Sequence, residues 1–260
     1  MTNTSISVKG LYKNYGETRA LDGVELEVKS GEIFGILGPN GSGKTTLLRI
    51  ICSIMEPTAG YVNVNGVNAI DDPLRVKALV GYVPETPTLY ESLTPVEFLS
   101  FIGAVRKIDP KVLSERISRF AEAFEITDKM DNFIGSLSFG TKQKVAIISA
   151  FLHDPEVIVL DEGMNGLDPR SARILKNLLV DYAKAGRTII FSTHVLEVAE
   201  NVCNRMAIIY RGKIIDIGTL KEMRERSGSN DARLEDIFLN MTGDSDLGPV
   251  IDTLRETMNR

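Results

Sequence analysis

Gly38-Pro39-Asn40-Gly41-Ser42-Gly43-Lys44-Thr45 spells G-x-x-x-x-G-K-[ST], and its flanks restrict what the chain can fold into. Before it runs Glu32-Ile33-Phe34-Gly35-Ile36-Leu37, an apolar stretch typical of strands buried on both faces of a parallel sheet. After it, Thr46-Leu47-Leu48-Arg49-Ile50-Ile51 reads as a helix. A buried strand, a glycine loop and a helix in that order are the setting the motif requires. Its glycines let backbone N–H groups close around phosphate oxygens, and the helix N-terminus adds partial positive charge. Lys44 is then expected to bridge the β- and γ-phosphates of a nucleotide, and the Thr45 hydroxyl to ligate Mg²⁺. The fold expectation is α/β with a mostly parallel sheet.

Ile6-Ser7-Val8-Lys9, Val24-Glu25-Leu26-Glu27-Val28 and Tyr61-Val62-Asn63-Val64-Asn65-Gly66 alternate apolar and polar residues, the period of half-buried strands. They predict an N-terminal antiparallel β-subdomain. Leu79 to Val83, Val157 to Asp161 and Thr188 to Ser192 are further strands. Residues 86–150 differ in character. Thr94-Pro95-Val96-Glu97 is a capping box with proline at the first helical position. Asp109-Pro110 opens another helix, with Val112, Leu113, Ile117, Phe120, Ala121 and Phe124 on one apolar face. This block reads as a helical subdomain inserted between core strands. Arg205 to Gly218 is a hairpin turning at Arg211-Gly212. The expected organisation is one domain over 1–220 and a charged extension over 221–260, with a break at Ser227 to Asp231 and a short amphipathic helix over Leu247 to Arg260.

Over its 260 residues the chain is 43% hydrophobic and 25% charged, as ordinary globular proteins are, and its net charge of −5 argues against a general nucleic-acid binder. No apolar run approaches the roughly 18 residues that cross a bilayer. Met1 to Ser5 shows no basic start followed by an apolar stretch. The expectation is a cytoplasmic chain that meets a membrane only through a partner. Cys52 and Cys203 lack metal-ligand spacing and read as reduced core thiols.

Val157-Ile158-Val159-Leu160-Asp161-Glu162 is an apolar strand ending in two acids. Beside a phosphate loop, Asp161 is expected to hold the magnesium through water, and Glu162 to orient and deprotonate the attacking water. His194 ends the apolar run Thr188 to Phe191, on the sheet edge where open α/β folds bind ligands, within reach of the γ-phosphate. His153, before Asp154-Pro155, reads as an ordinary loop residue. Ser138 fits an N-cap before a helix beginning near Gly140, a second place where a backbone can receive phosphate. One nucleotide has no evident use for two such helix ends from one small chain. The economical reading is that the second helix covers the nucleotide of a partner molecule.

At these residues the chain resembles the ATP-binding subunits of ABC transporters, over Ile6 to about Gly218. Gly38–Thr45 matches the Walker A loop of that family, Val157–Glu162 its Walker B strand with the catalytic glutamate, and Leu137-Ser138-Phe139-Gly140-Thr141-Lys142-Gln143 its signature. Gly166-Leu167-Asp168 resembles the D-loop, His194 the switch histidine, and Tyr15 the aromatic that stacks on adenine. The resemblance implies a P-loop NTPase core and a Mg²⁺-dependent ATPase. It also implies a head-to-tail dimer, homomeric or heteromeric, in which Ser138 and Gly140 of one subunit face the γ-phosphate held by Lys44 of the other. Transmembrane permease subunits are implied as partners at the cytoplasmic face of the membrane. Arg233 to Gly243 resembles the tail of export-type ATPases. Glu85 stands where the family has the Q-loop glutamine; a carboxylate can still ligate Mg²⁺ but cannot donate the amide's hydrogen bonds. Phe139 and Thr141 replace signature residues, and Gly163-Met164 the usual Pro-Thr. A soluble ABC-type assembly factor, or a nucleotide-gated clamp, is the alternative. A small-molecule kinase would leave the Ser138 segment unexplained.

Overall fold

The computed structural model describes residues 4–228 and 233–242. The chain's first three residues, most of the break expected near Ser229 and the helix expected over Leu247 to Arg260 lie outside them.

Two long strands open the chain, β1 (Thr4–Tyr15) and β2 (Thr18–Lys29), joined through Gly16, whose φ of 57° suits the tight turn. Then follow β3 (Ile33–Leu37), α1 (Lys44–Ile51), β4 (Ala59–Val64), β5 (Val67–Asn68), α2 (Pro73–Leu79) and β6 (Val80–Val83). Three helices come next, α3 (Pro95–Val105), α4 (Pro110–Ala123) and α5 (Phe139–Phe151), before β7 (Val157–Asp161). The remainder is α6 (Pro169–Lys184), β8 (Thr188–Thr193), α7 (Leu196–Val202), β9 (Arg205–Tyr210), β10 (Lys213–Gly218), α8 (Leu220–Ser227) and α9 (Leu234–Thr242).

Two sheets result. One is antiparallel, in the order β2-β1-β4-β5; the other runs β10-β9-β3-β8-β7-β6. In the second, β9, β3, β8, β7 and β6 are mutually parallel and only β10 is antiparallel. This is the expected α/β architecture. Every residue of β3, β7 and β8 is buried, whereas β2 alternates, burying Val24, Leu26 and Val28. Strands covered on both faces cannot afford alternation.

The core divides at the parallel sheet. Between it and the antiparallel sheet pack Leu47, Leu48 and Ile51 of α1 with Val24, Leu26, Val62 and Val159. On the opposite side Leu113, Ile117, Ile147, Phe151, Leu175 and Phe191 join α4, α5 and α6 to the strands. Gly103 lets α3 lie close on α4, since a Cβ there would overlap the Leu113 side chain. A third cluster buries Leu234 and Ile237 of α9 against Ala199, Met206 and Ile208.

The caps expected at Thr94, Asp109 and Ser138 are all made by the side chains. Helix α2 was not anticipated, although Asp72 caps it and Pro73 opens it, and Leu79 ends this helix instead of opening β6. Helices α6, α7, α8 and α9 likewise lie outside the sequence expectations. Among the described residues no helix is long and apolar enough to cross a membrane.

Candidate nucleotide-binding site

The parallel strands end at one edge of the sheet, and the chemistry gathers there. The chain leaves β3 at Gly38, where a Cβ would collide with the Ile209 carbonyl oxygen and the Ser42 hydroxyl. Gly41 has φ 78° and open space where a Cβ would stand, so its backbone stays uncovered for a ligand. Residues Asn40 through Thr46 line a cleft of about 230 Å³ together with Ala20, Glu85 and Glu162. Ala20 enters from β2 and carries no sequence signal.

The Lys44 ammonium, 6% exposed, donates to the carbonyls of Gly38 at 2.8 Å and Pro39 at 3.2 Å. It lies 3.6 Å from Glu162 Oε1, and His194 Nδ1 lies 3.0 Å from the same oxygen. Glu162 is 4% exposed, yet neither of its oxygens accepts an aligned hydrogen bond among the described residues. Its contact with Lys44 is ionic, which leaves lone pairs for a water, the property a general base needs. His194 is half exposed and so spans from this buried acid to the surface.

Glu162 has φ 51°, left-handed backbone that non-glycine residues seldom adopt. Its N–H is held by Ser192, with the carbonyl at 3.2 Å and the hydroxyl at 3.1 Å. Asp161 is 1% exposed, and both its oxygens accept: Oδ1 from Ser192 Oγ at 2.8 Å, Oδ2 from the Tyr82 hydroxyl at 3.3 Å. No group of three or more His, Cys, Asp or Glu side chains converges on one point among the described residues. Thr45 and Glu85 line the cleft, so the donors fit a hard cation that takes most ligands from phosphate and water.

Other candidates stand apart from this cleft. Tyr15 does not line it; half exposed, it donates to Met55 Sδ at 2.8 Å, with Lys13 Nζ 5.4 Å from its ring centre. Nor does any residue of Leu137 to Gln143. Ser138 Oγ caps α5 by accepting from the Thr141 N–H at 3.3 Å. A Cβ on Gly140 would come within 2.5 Å of the Gly166 carbonyl oxygen, and the Phe139 ring covers Gly166. Gln143, fully buried, donates to the Gly163 carbonyl at 3.1 Å. Asp168 caps α6 through the Ser171 N–H at 2.9 Å and pairs with Lys144 at 2.7 Å. The Lys144 ammonium first, then Ser171, hold the Asp168 carboxyl well below the usual carboxylate range. The start of α5 and the loop after β7 thus form one connected surface.

His153 is the half-buried loop residue expected, bonded to the Val80 carbonyl at 3.2 Å. Burial, then the neighbouring Arg106, push it down to about 4. Cys52 is buried and Cys203 partly so, both unpaired.

The ABC transporter family model matches residues 21–165. ABC-type transporter ATP-binding protein EcsA of Bacillus subtilis is 34% identical over 91% of this chain and 96% of its own length. A solved ATP-binding subunit of an ABC transporter superposes with a TM-score of 0.86 at 32% identity, covering 91% of this chain and 99% of that one. A second, an ATP-binding cassette solved as a dimer after hydrolysis with ADP and Pi, gives a TM-score of 0.76 at 26% identity, over 83% of this chain and 98% of its own. With its phosphate loop, paired acids and histidine on one sheet edge, this chain belongs to the ABC transporter family, as an ATP-binding subunit with ATPase activity.

Proposed function

We propose that this subunit powers a membrane transporter, working in the export direction, by ATP-driven head-to-tail dimerisation. The observation that carries the proposal is the separation of two helix starts. Lys44 opens α1 inside the cleft, while Ser138 caps α5 outside it. A second copy, or a related ATPase, would bring its Ser138 and Gly140 to the γ-phosphate and close the site. The similar cassette solved as a dimer with ADP and Pi supports this arrangement.

In the closed site Lys44 exchanges its loop carbonyls for β- and γ-phosphate oxygens, and the N–H groups of Gly41 to Thr46 surround them. Tyr15 stacks on adenine. Mg²⁺, when held by Thr45, Glu85 and, through water, Asp161, supplies charge neutralisation at the phosphates. Glu162 accepts the proton of a water whose oxygen attacks the γ-phosphorus, and the bond to the ADP oxygen breaks. His194, on Oε1, keeps Oε2 turned to that water and bonds the γ-phosphate. Asp168 ties the start of α5 to the post-β7 loop through Lys144, so closure registers at both. Loss of the γ-phosphate removes the shared ligand and the dimer reopens.

The work reaches the membrane through permease subunits docking beside the helical insertion of about residues 86–150, on a domain spanning 1–220. This puts the subunit at the cytoplasmic face. The tail resemblance over Arg233 to Gly243 favours export. Mixing variants tests the dimer. Lys44→Ala and Ser138→Arg proteins should each be nearly inactive alone, and their mixture should recover hydrolysis, because a head-to-tail heterodimer contains one intact composite site. A mixture no more active than its components would overturn the arrangement. Co-purification with a permease separates a transporter subunit from a soluble assembly factor.

A further inference from the structure

One hydroxyl touches both acids of the site. Ser192 Oγ donates to Asp161 Oδ1 at 2.8 Å and accepts from the Glu162 N–H at 3.1 Å. Ser192 is fully buried, and strand register sets it directly opposite Asp161 in β7 and β8. The other Asp161 oxygen is held at 3.3 Å by Tyr82, from β6. Resting on the proposed roles of Asp161 and Glu162, we propose that Ser192 and Tyr82 are positioning residues for hydrolysis. Ser192 locks Asp161 and Glu162 into one unit, and Tyr82 closes the other side of Asp161.

Three observations converge on this. Asp161 is almost inaccessible, so its orientation is set by these two hydroxyls and by nothing in solvent. Glu162 sits in left-handed backbone, which persists only where neighbours over-determine it, and Ser192 supplies two acceptors to its N–H. Tyr82 stands in β6 beside β7 and donates to Oδ2 at 3.3 Å while Ser192 donates to Oδ1, so each carboxylate oxygen has its own hydroxyl. Neither hydroxyl lines the cleft. Each acts through another residue.

The test compares Ser192→Ala, Ser192→Cys and Tyr82→Phe with Asp161→Asn and Glu162→Gln in the full chain. Two measurements are made: ATPase kinetics, and Mn²⁺ binding with ADP present, followed by electron paramagnetic resonance. Removing such outer partners should lower kcat or Mn²⁺ affinity by about 10- to 100-fold while KM for ATP stays within about twofold. Ser192→Cys keeps the volume and loses the strong donor, so it should behave as Ser192→Ala. Ser192→Thr keeps the hydroxyl and should recover most of the loss. A merely structural role would lower the melting temperature with kcat and Mn²⁺ affinity unmoved, and that result refutes the proposal. Should Ser192→Ala fail to fold, Tyr82→Phe, which removes one oxygen, carries the test alone. If Asp161→Asn and Glu162→Gln lose turnover while the hydroxyl variants keep it, only the positioning is wrong. If those two retain turnover, the assigned roles of the acids fall.

Discussion

Glu162→Gln separates chemistry from binding. The amide has the carboxylate's shape but takes no proton from water, so what is lost is the base. A positioned general base contributes about 10²- to 10⁴-fold, or roughly 3–5 kcal/mol of barrier at about 1.4 kcal/mol per tenfold. ATP affinity should survive. Lys44, the residue that meets the phosphates, keeps its bonds to the Gly38 and Pro39 carbonyls whatever stands at 162. Folding stability should fall. Glu162 is 4% exposed and lies 3.6 Å from the equally buried Lys44 ammonium, which the amide leaves without its counter-charge. Removing one partner of a buried pair costs about 3–5 kcal/mol; the two carbonyl bonds Lys44 keeps hold the loss toward the low end, a melting midpoint lower by about 6–12 °C at about 2–4 °C per kcal/mol. Steady-state phosphate release, equilibrium binding of a fluorescent ATP analogue and a thermal melt read these separately. Turnover at the parent rate would refute the assignment of the base. A loss of ATP affinity matching the loss of turnover would make Glu162 a binding residue instead.

Three further outcomes follow from named contacts. Glu85→Gln, which restores the amide at a residue lining the cleft, should change the Mg²⁺ dependence of hydrolysis more than ATP affinity, and identical magnesium titrations would make Glu85 incidental. Gly140→Ala drives a methyl to 2.5 Å from the Gly166 carbonyl oxygen and should cost about 1–3 kcal/mol while displacing the post-β7 loop, visible as a lower melt and lost turnover; full activity would mean the loop yields freely. His153, held at about 4 against an ordinary 6.5, stays neutral in the fold while the unfolded chain takes up the proton, so stability falls as pH drops from 6.5 to 4. After allowance for screening of this half-buried ring the loss is about 1–2 kcal/mol; denaturant melts across that window should flatten in His153→Gln, and an unchanged slope would place the loss elsewhere.

What the linear chain discloses is whatever depends on neighbouring residues. The loop from Gly38 to Thr45 declares itself because its glycines and its helix are contiguous. The caps at Thr94, Asp109 and Ser138 do so because capping spans three residues. The unbroken apolar runs of β3, β7 and β8 announce burial on both faces. That Ser138 is a helix start apart from the cleft could be suspected from order alone.

What the tertiary structure decided is how distant residues meet. Ser192 and Asp161 are 31 positions apart, Tyr82 and Asp161 79, and only the sheet order and register make them partners. Ala20 reaches the cleft because β2 folds over the phosphate loop, and Phe139 covers Gly166 because α5 lies against the turn after β7. Glu162's left-handed backbone is likewise invisible in its letter, since nothing local favours it and Ser192 in the adjacent strand holds it. Short-range preferences choose the elements, but a buried carboxylate takes its geometry from whichever hydroxyls the packed strands bring beside it.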